Sequence, residues 1–322
     1  MLVPKSISDK VKLSNGLEIP CLGCGWGHPR ATHDETYSSV AAAARMGLRL
    51  FDTASFYANE RAMGKGLKLS GVNREELLVA SKVWNQDQGY DSTLAVVEET
   101  LEDFGFDYID LYMIHWPIAY GHDEDWQELN RETWRAMEKL YREGKIRALG
   151  VSNFLEHHLR PLMDFATVPV MFNEIEQSIG YYQSETHEFC RQNNIQTISY
   201  TPLGGVIVPI VRPPAAPGER PAGGPPPRQP RIMERRPELE SICEKYDKLP
   251  SQICLRWLQQ IGSVPIPSTY NEAHMKDNID IFDFELNDEE IALIKTLPDT
   301  KGRHQHPDID RINFDRYIKP KI

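Results

Sequence analysis

Short runs of β-branched and apolar residues alternate with helix-patterned segments along most of the chain. This alternation constrains the fold more than any other feature. Leu48–Asp52 (LRLFD), Leu77–Lys82 (LLVASK), Ile109–His115 (IDLYMIH), Ile146–Ser152 (IRALGVS), Val170–Ile175, Gln196–Tyr200 and Ser263–Pro267 read as strands. Between them, Glu35–Arg45 reads as a helix closed by Gly47. STLAVVEETLEDF reads as one capped by Asp91 or Ser92 and ended at Gly105, and Thr133–Glu143 as one stopped by Gly144. Further helices are expected over Glu185–Asn193, Pro237–Tyr246 and Ser251–Gln260. Strands separated by helices pair in parallel, so the class is α/β.

The strand ends narrow the choice. They carry Asp52, Lys82, His115, Ser152 with Asn153, Glu174, Tyr200 and Ser268, all able to do chemistry. A closed parallel barrel gathers its C-terminal strand ends on one rim, where its site lies. An open doubly wound sheet places its site at a single crevice and usually opens with GxGxxG. The first strand is instead followed by GCGWGHP, which lacks that spacing. The expected fold is therefore a (β/α)8 TIM barrel, a single domain over residues 1–322. Ser6–Pro20 reads as an N-terminal β-hairpin turning at Asn15-Gly16, placed to close the bottom of the barrel. Residues 205–236 hold nine of the 23 prolines, which excludes helix and central strand. This long Pro-rich loop insertion is either a surface excursion or an active-site cover.

Of the 322 residues, 40% are hydrophobic and 26% charged, enough for a sizeable core without metal or disulfides. The net charge of −11 argues against a nucleic-acid partner. No apolar run is long enough to cross a membrane, and no secretory signal is visible at the N-terminus. Cys21, Cys24, Cys190, Cys243 and Cys254 form an odd set that suits reduced thiols, and a cytoplasmic location is expected. Cys21 and Cys24 make a lone CxxC without further ligands, so they read as small buried side chains near a strand and no metal site is expected.

Four side chains fall together on the predicted rim: Asp52, Tyr57, Lys82 and His115. A tyrosine is too weak an acid for work at neutral pH unless a neighbouring ammonium favours its phenolate. An aspartate paired with that lysine keeps it charged and in place. A neutral histidine can hydrogen-bond a carbonyl and set its direction. The group suits protonation of a carbonyl oxygen as hydride reaches carbon, and hydride must come from a cofactor. Each residue alone has a structural reading: a turn cap, a half-buried aromatic, a solvated strand end, a core histidine.

FDTASFYANE (Phe51–Glu60), SKVWN (Ser81–Asn85), DLYMIHWP (Asp110–Pro117), GKIRALGVSNF (Gly144–Phe154) and SYTPLG (Ser199–Gly204) together resemble the aldo-keto reductases, closest to the branch of aldose reductase and the bacterial diketogluconate reductases. The likeness runs from about residue 11 to about residue 302 and is broken by the Pro-rich loop. It implies a barrel enzyme that reduces aldehydes and ketones with NADPH, with Asp52, Tyr57, Lys82 and His115 as catalytic tetrad and Tyr57 as general acid. It also implies that Tyr200 stacks on the nicotinamide, that Ser152, Asn153 and Glu174 meet its carboxamide, and that Leu203, Ser268, Thr269, His274, Asp277 and Asn278 line the rest of the cofactor site.

Several positions depart from the family pattern. Glu174 stands where a glutamine is usual, and a carboxylate can accept from the carboxamide but cannot donate to it. Ser178-Ile179-Gly180 replaces HPY. Ser268 and His274 replace the lysine and arginine that grip the 2′-phosphate, so relaxed or dual NADPH/NADH use is expected, unless Arg231, Arg235 or Arg236 supplies the charge. Trp26, Trp84 and Trp116 match pocket aromatics. Specificity is expected from Ile118–Arg131, the Pro-rich loop and the tail 301–322 with Phe314 and Tyr317. The expected partner is a small-molecule carbonyl substrate, and a monomer is expected. Two alternatives stay open: a nicotinamide-binding scaffold of little activity, and a dehydrogenase working toward alcohol oxidation.

Overall fold

The computed structural model describes residues 3–27, 31–119, 121–204 and 237–297. The Pro-rich insertion, Arg231, Arg235, Arg236, and the tail with Phe314 and Tyr317 lie outside the described residues.

Ahead of the main sheet, β1 (Lys10–Lys12) and β2 (Glu18–Pro20) pair antiparallel, with Gly16 in the left-handed region at the tip. The main sheet has eight parallel strands: β3 (Cys24–Gly25), β4 (Leu50–Asp52), β5 (Leu78–Val83), β6 (Ile109–Ile114), β7 (Ile146–Ser152), β8 (Phe172–Glu176), β9 (Gln196–Tyr200) and β10 (Val264–Pro265). Spatial order follows chain order, and every adjacent pair is parallel. Two backbone hydrogen bonds join the first strand to the last segment, from Gly23 N–H to Pro265 O (3.0 Å) and from Gly25 N–H to Pro267 O (3.1 Å). The sheet therefore closes on itself as a (β/α)8 barrel.

Helices α1 (His33–Arg45), α2 (Glu60–Ser70), α3 (Tyr90–Phe104), α4 (Trp126–Arg142), α5 (Glu156–Phe165) and α6 (Ser184–Gln192) follow successive strands. Beyond β9 come α7 (Pro237–Tyr246), α8 (Pro250–Gln260), α9 (Glu272–Ile279) and α10 (Asp288–Thr296). Leu13 and Ile19 of the hairpin region are buried in the same cluster as Leu50, Leu78, Ile109, Ile146 and Val264, which sit at or near the N-terminal ends of their strands. Asn15 Nδ2 also donates to Arg147 O (2.9 Å). The hairpin thus plugs the bottom of the barrel and leaves the other mouth to the site.

Several boundaries differ from the sequence reading. The first barrel strand lies inside GCGWGHP rather than before it, and Cys24 is in it. α1 begins earlier because Thr32 and Glu35 form a capping box. α3 begins at Tyr90, after Gly89 and not after a capping Asp91 or Ser92. α4 begins at Trp126, well ahead of Thr133, so the last six residues of the segment Ile118–Arg131 are helix and not loop. α2 was hidden by Gly64 and Gly66. A Cβ on Gly64 would lie 2.2 Å from Phe104 O, and one on Gly66 2.6 Å from Tyr37 O, so these glycines permit close helix packing. α5 was hidden by an internal Pro161.

Candidate active site

The site begins where β4 ends. Asp52 is the last residue of that strand, and its carbonyl accepts from Trp26 N–H (2.9 Å). The chain then makes a single 3-10 turn, Ser55–Tyr57, closed by Ala58 in the left-handed region. Polar anchors fix that turn: Ser55 Oγ donates to Lys82 O (3.0 Å), and Asn59 Nδ2 to Trp26 O (2.6 Å). Tyr57 is half-buried, its ring 5.9 Å from that of His115 in an edge-on arrangement. Gly27 lies beneath it, where an added Cβ would sit 3.2 Å from the ring.

Lys82, on β5, points into the barrel and is 1% exposed. Its ammonium donates to Asp52 Oδ1 (2.5 Å) and Thr53 O (2.9 Å), and lies 3.2 Å from Glu174 Oε1 across the barrel. Burial pulls its pKa down, but the charges of Asp52, Glu174 and Tyr57 outweigh this and hold it above the usual lysine range. Burial lifts the Asp52 carboxyl above its ordinary value against the pull of Lys82. Burial and the charge of Asp52 push Glu174 up to about 8, again against Lys82.

His115 follows β6, and its carbonyl accepts from Asn153 Nδ2 (3.0 Å). Asn153 adopts the left-handed region after β7, which turns its side chain to that carbonyl, to Ser152 Oγ (3.1 Å) and to Tyr200 OH, which donates to Asn153 Oδ1 (2.7 Å). Ser152 Oγ donates to Glu174 O (2.9 Å). The half-buried ring of Tyr200 is thereby held at the end of β9. Leu203 packs in the turn that follows.

The structure therefore brings Asp52, Tyr57, Lys82 and His115 together, with Ser152, Asn153, Glu174 and Tyr200 beside them. Trp84 and Trp116 join as a small aromatic cluster with Phe56; the Phe56 and Trp84 rings stack at 4.1 Å, and Trp84 meets His115 edge-on at 5.0 Å. Trp26 is placed with the core instead. It is fully buried, stacks on Phe51 at 5.5 Å and donates to Ser39 Oγ (2.9 Å) of α1. Cys21 and Cys24 are buried, and burial pushes both thiols up to about 12.

Ser268 and Thr269 follow β10, and Ser268 is exposed. Exposed His274 and half-buried Asp277 lie on α9 with buried Asn278, and Asn271 caps that helix through Ala273 N–H (2.8 Å). No lysine or arginine occurs from Ser268 to Met275. Sequence reasoning missed Phe56, whose signal is its place beside Tyr57. It also missed the contact of Glu174 with Lys82, which strand order alone does not reveal.

Residues 21–299 match the model of the Aldo/keto reductase family. The chain is 40% identical over 312 residues to the glyoxal reductase of Bacillus subtilis, covering 97% of this chain and 100% of that protein. It is 33% identical over 303 residues to the methylglyoxal reductase DkgA of Escherichia coli, covering 94% and 97%. An aldo-keto reductase of Bombyx mori, solved in complex with NADP, superposes with a TM-score of 0.76 at 33% identity, covering 89% of this chain and 91% of that one.

Proposed function

The chain belongs to the aldo/keto reductase family and is an oxidoreductase, and on that premise we propose that it reduces small aldehydes and ketones, 1,2-dicarbonyls among them, using NAD(P)H with Tyr57 as proton donor. The observation that carries this is the buried Asp52–Lys82 ion pair within electrostatic reach of Tyr57, whose ring stands edge-on to His115. The substrate class follows from the glyoxal and methylglyoxal reductases that the chain resembles.

The residues present fit a nicotinamide. The anchored ring of Tyr200 offers an aromatic face, and Ser152, Asn153 and Glu174 place hydroxyl, amide and carboxyl groups next to it. When bound, the reduced cofactor supplies hydride to the carbonyl carbon. Tyr57 gives its proton to the carbonyl oxygen as negative charge builds there. Lys82, kept charged by Asp52, lowers the cost of the phenolate that remains. His115 hydrogen-bonds the same oxygen and sets its approach. Trp84 and Trp116 form the apolar wall beside it, which suits compact substrates.

At the far end of the cofactor, Asp277 and Asn278 serve the adenine. Ser268, Thr269 and His274 offer the 2′-phosphate hydroxyls and an imidazole in place of fixed cations. Discrimination between NADPH and NADH is accordingly less than about a hundredfold, against the larger ratios that two charge-assisted contacts give. The test is oxidation of each cofactor with methylglyoxal. Wild type turns over, and Tyr57→Phe loses about 10²–10⁴-fold in kcat with unchanged nicotinamide affinity. Equal inactivity of both proteins, or equal activity, refutes the reading.

A further inference from the structure

We propose that Glu174 holds a proton in the working site, standing in as a neutral acid for the glutamine of the family pattern, and that its ionisation sets the upper pH limit of activity by drawing Lys82 away from Tyr57. The effect on turnover rests on the reductase reading above; the proton itself does not.

Charge balance gives the first reason. Asp52, Lys82 and Glu174 are 7%, 1% and 3% exposed, and the ammonium touches both carboxyls. The titratable groups around Glu174 are Asp52 from β4, Tyr57 from the turn after it, Lys82 from β5, His115 after β6, Tyr200 from β9, and Glu176 on its own strand. Lys82 is the only permanent cation among these. With both carboxyls ionised the trio carries a buried negative charge that no cation among the described residues is seen to neutralise, whereas one proton shared by the pair makes it neutral.

The contacts decide which carboxyl keeps that proton. Asp52 lies 2.5 Å from the ammonium and Glu174 3.2 Å, so the anion is better stabilised on Asp52. A glutamic acid is also the weaker acid of the two types.

The consequence reverses what residue identity alone suggests. A carboxylate can only accept, but a neutral carboxylic acid has one O–H donor and keeps an acceptor oxygen, as a side-chain amide does. Once ionised, Glu174 gives Lys82 a second anionic neighbour, and the pull of the ammonium on the Tyr57 proton weakens.

Infrared titration of the unliganded full chain tests the proton. Wild type shows a protonated-carboxyl C=O band at neutral pH that disappears with a midpoint near 8. Glu174→Gln removes that band. Asp52→Asn restores neutrality with Glu174 ionised, so its band vanishes at least about two pH units lower. No protonated carboxyl in wild type at neutral pH, or an unchanged band in Glu174→Gln, overturns the proposal. Steady-state kinetics test the consequence: wild-type kcat/KM falls several-fold from about pH 7 to about pH 9.5, and in Glu174→Gln the ratio of the two values stays below about two. A flat wild-type profile, or one equally steep in Glu174→Gln, refutes the pH limit. A wild type with the band but without turnover refutes the reductase reading and upholds the proton.

Discussion

The barrel buries a carboxylate at each end, and the two are solved in opposite ways. At the base, Asp110 at the start of β6 is fully buried and accepts from Arg74 Nη2 (2.8 Å), Arg147 Nη1 (2.8 Å) and Val79 N–H (3.0 Å). One anion meets two guanidiniums there, and Arg147 spreads its charge into solvent with 41% of its side chain exposed. At the mouth, two carboxyls meet one buried ammonium. The base is saturated with donors, so it serves the fold. The mouth is one positive charge short, and that shortage makes a proton available. Composition cannot tell these two carboxylates apart; their partners do.

Substitutions on each side test the contrast. The largest effect is expected from Lys82→Met, which removes the cation of the mouth: kcat/KM falls by about 10²–10⁴-fold. Its fold survives in acid, because Asp52 and Glu174 both have carboxyls lifted above their ordinary values and can both take protons. The sign follows from that lift. Stability is fully present below the usual carboxylate range and is lost as pH rises toward the folded-state values, which denaturant melts across pH would show. At the base, Asp110→Ala takes the carboxylate from Arg74 and Arg147 and the acceptor from Val79 N–H, and costs about 3 kcal/mol. A calorimetric melt reads this cost, while kcat per folded molecule stays unchanged. A fall in kcat there would erase the distinction between the two ends.

Smaller changes sharpen it. The double change Ser268→Lys with His274→Arg supplies the rim with fixed cations like those of the base. Each charge-assisted bond to a phosphate is worth about 1.5–3 kcal/mol, so the NADPH-over-NADH affinity ratio rises at least about tenfold per substitution. Fluorescence titration with both cofactors measures it. The smallest effect is Asn15→Ala, which removes the hairpin's bond to Arg147 O and costs about 1 kcal/mol. It lowers Tm slightly and leaves turnover alone.

The sequence carried the rim because a strand end is a local feature: Asp52, Lys82, His115, Ser152 and Tyr200 each close a run that reads as a strand by itself. The hairpin was legible from Asn15-Gly16 for the same reason. What escaped depends on partners far along the chain. Gly64 and Gly66 look like helix breakers until Phe104 and Tyr37 are found against them. The partners of Trp26, Ser39 and Phe51, are likewise invisible from its own neighbourhood in the chain. Glu174 reads as an anion until Asp52 is seen sharing its lysine.

The join between β3 and β10 gives the ring of strands an uneven strength. β6 pairs with β7, and β8 with β9, over five registered residues, but β3 and β10 span two residues each. Thermal breathing therefore unzips the cylinder along this line first, and the amides of Gly23 and Gly25 exchange with solvent ahead of those in β6 and β7. Ser268 and Thr269, proposed above to meet the nucleotide phosphate, lie directly past the same line.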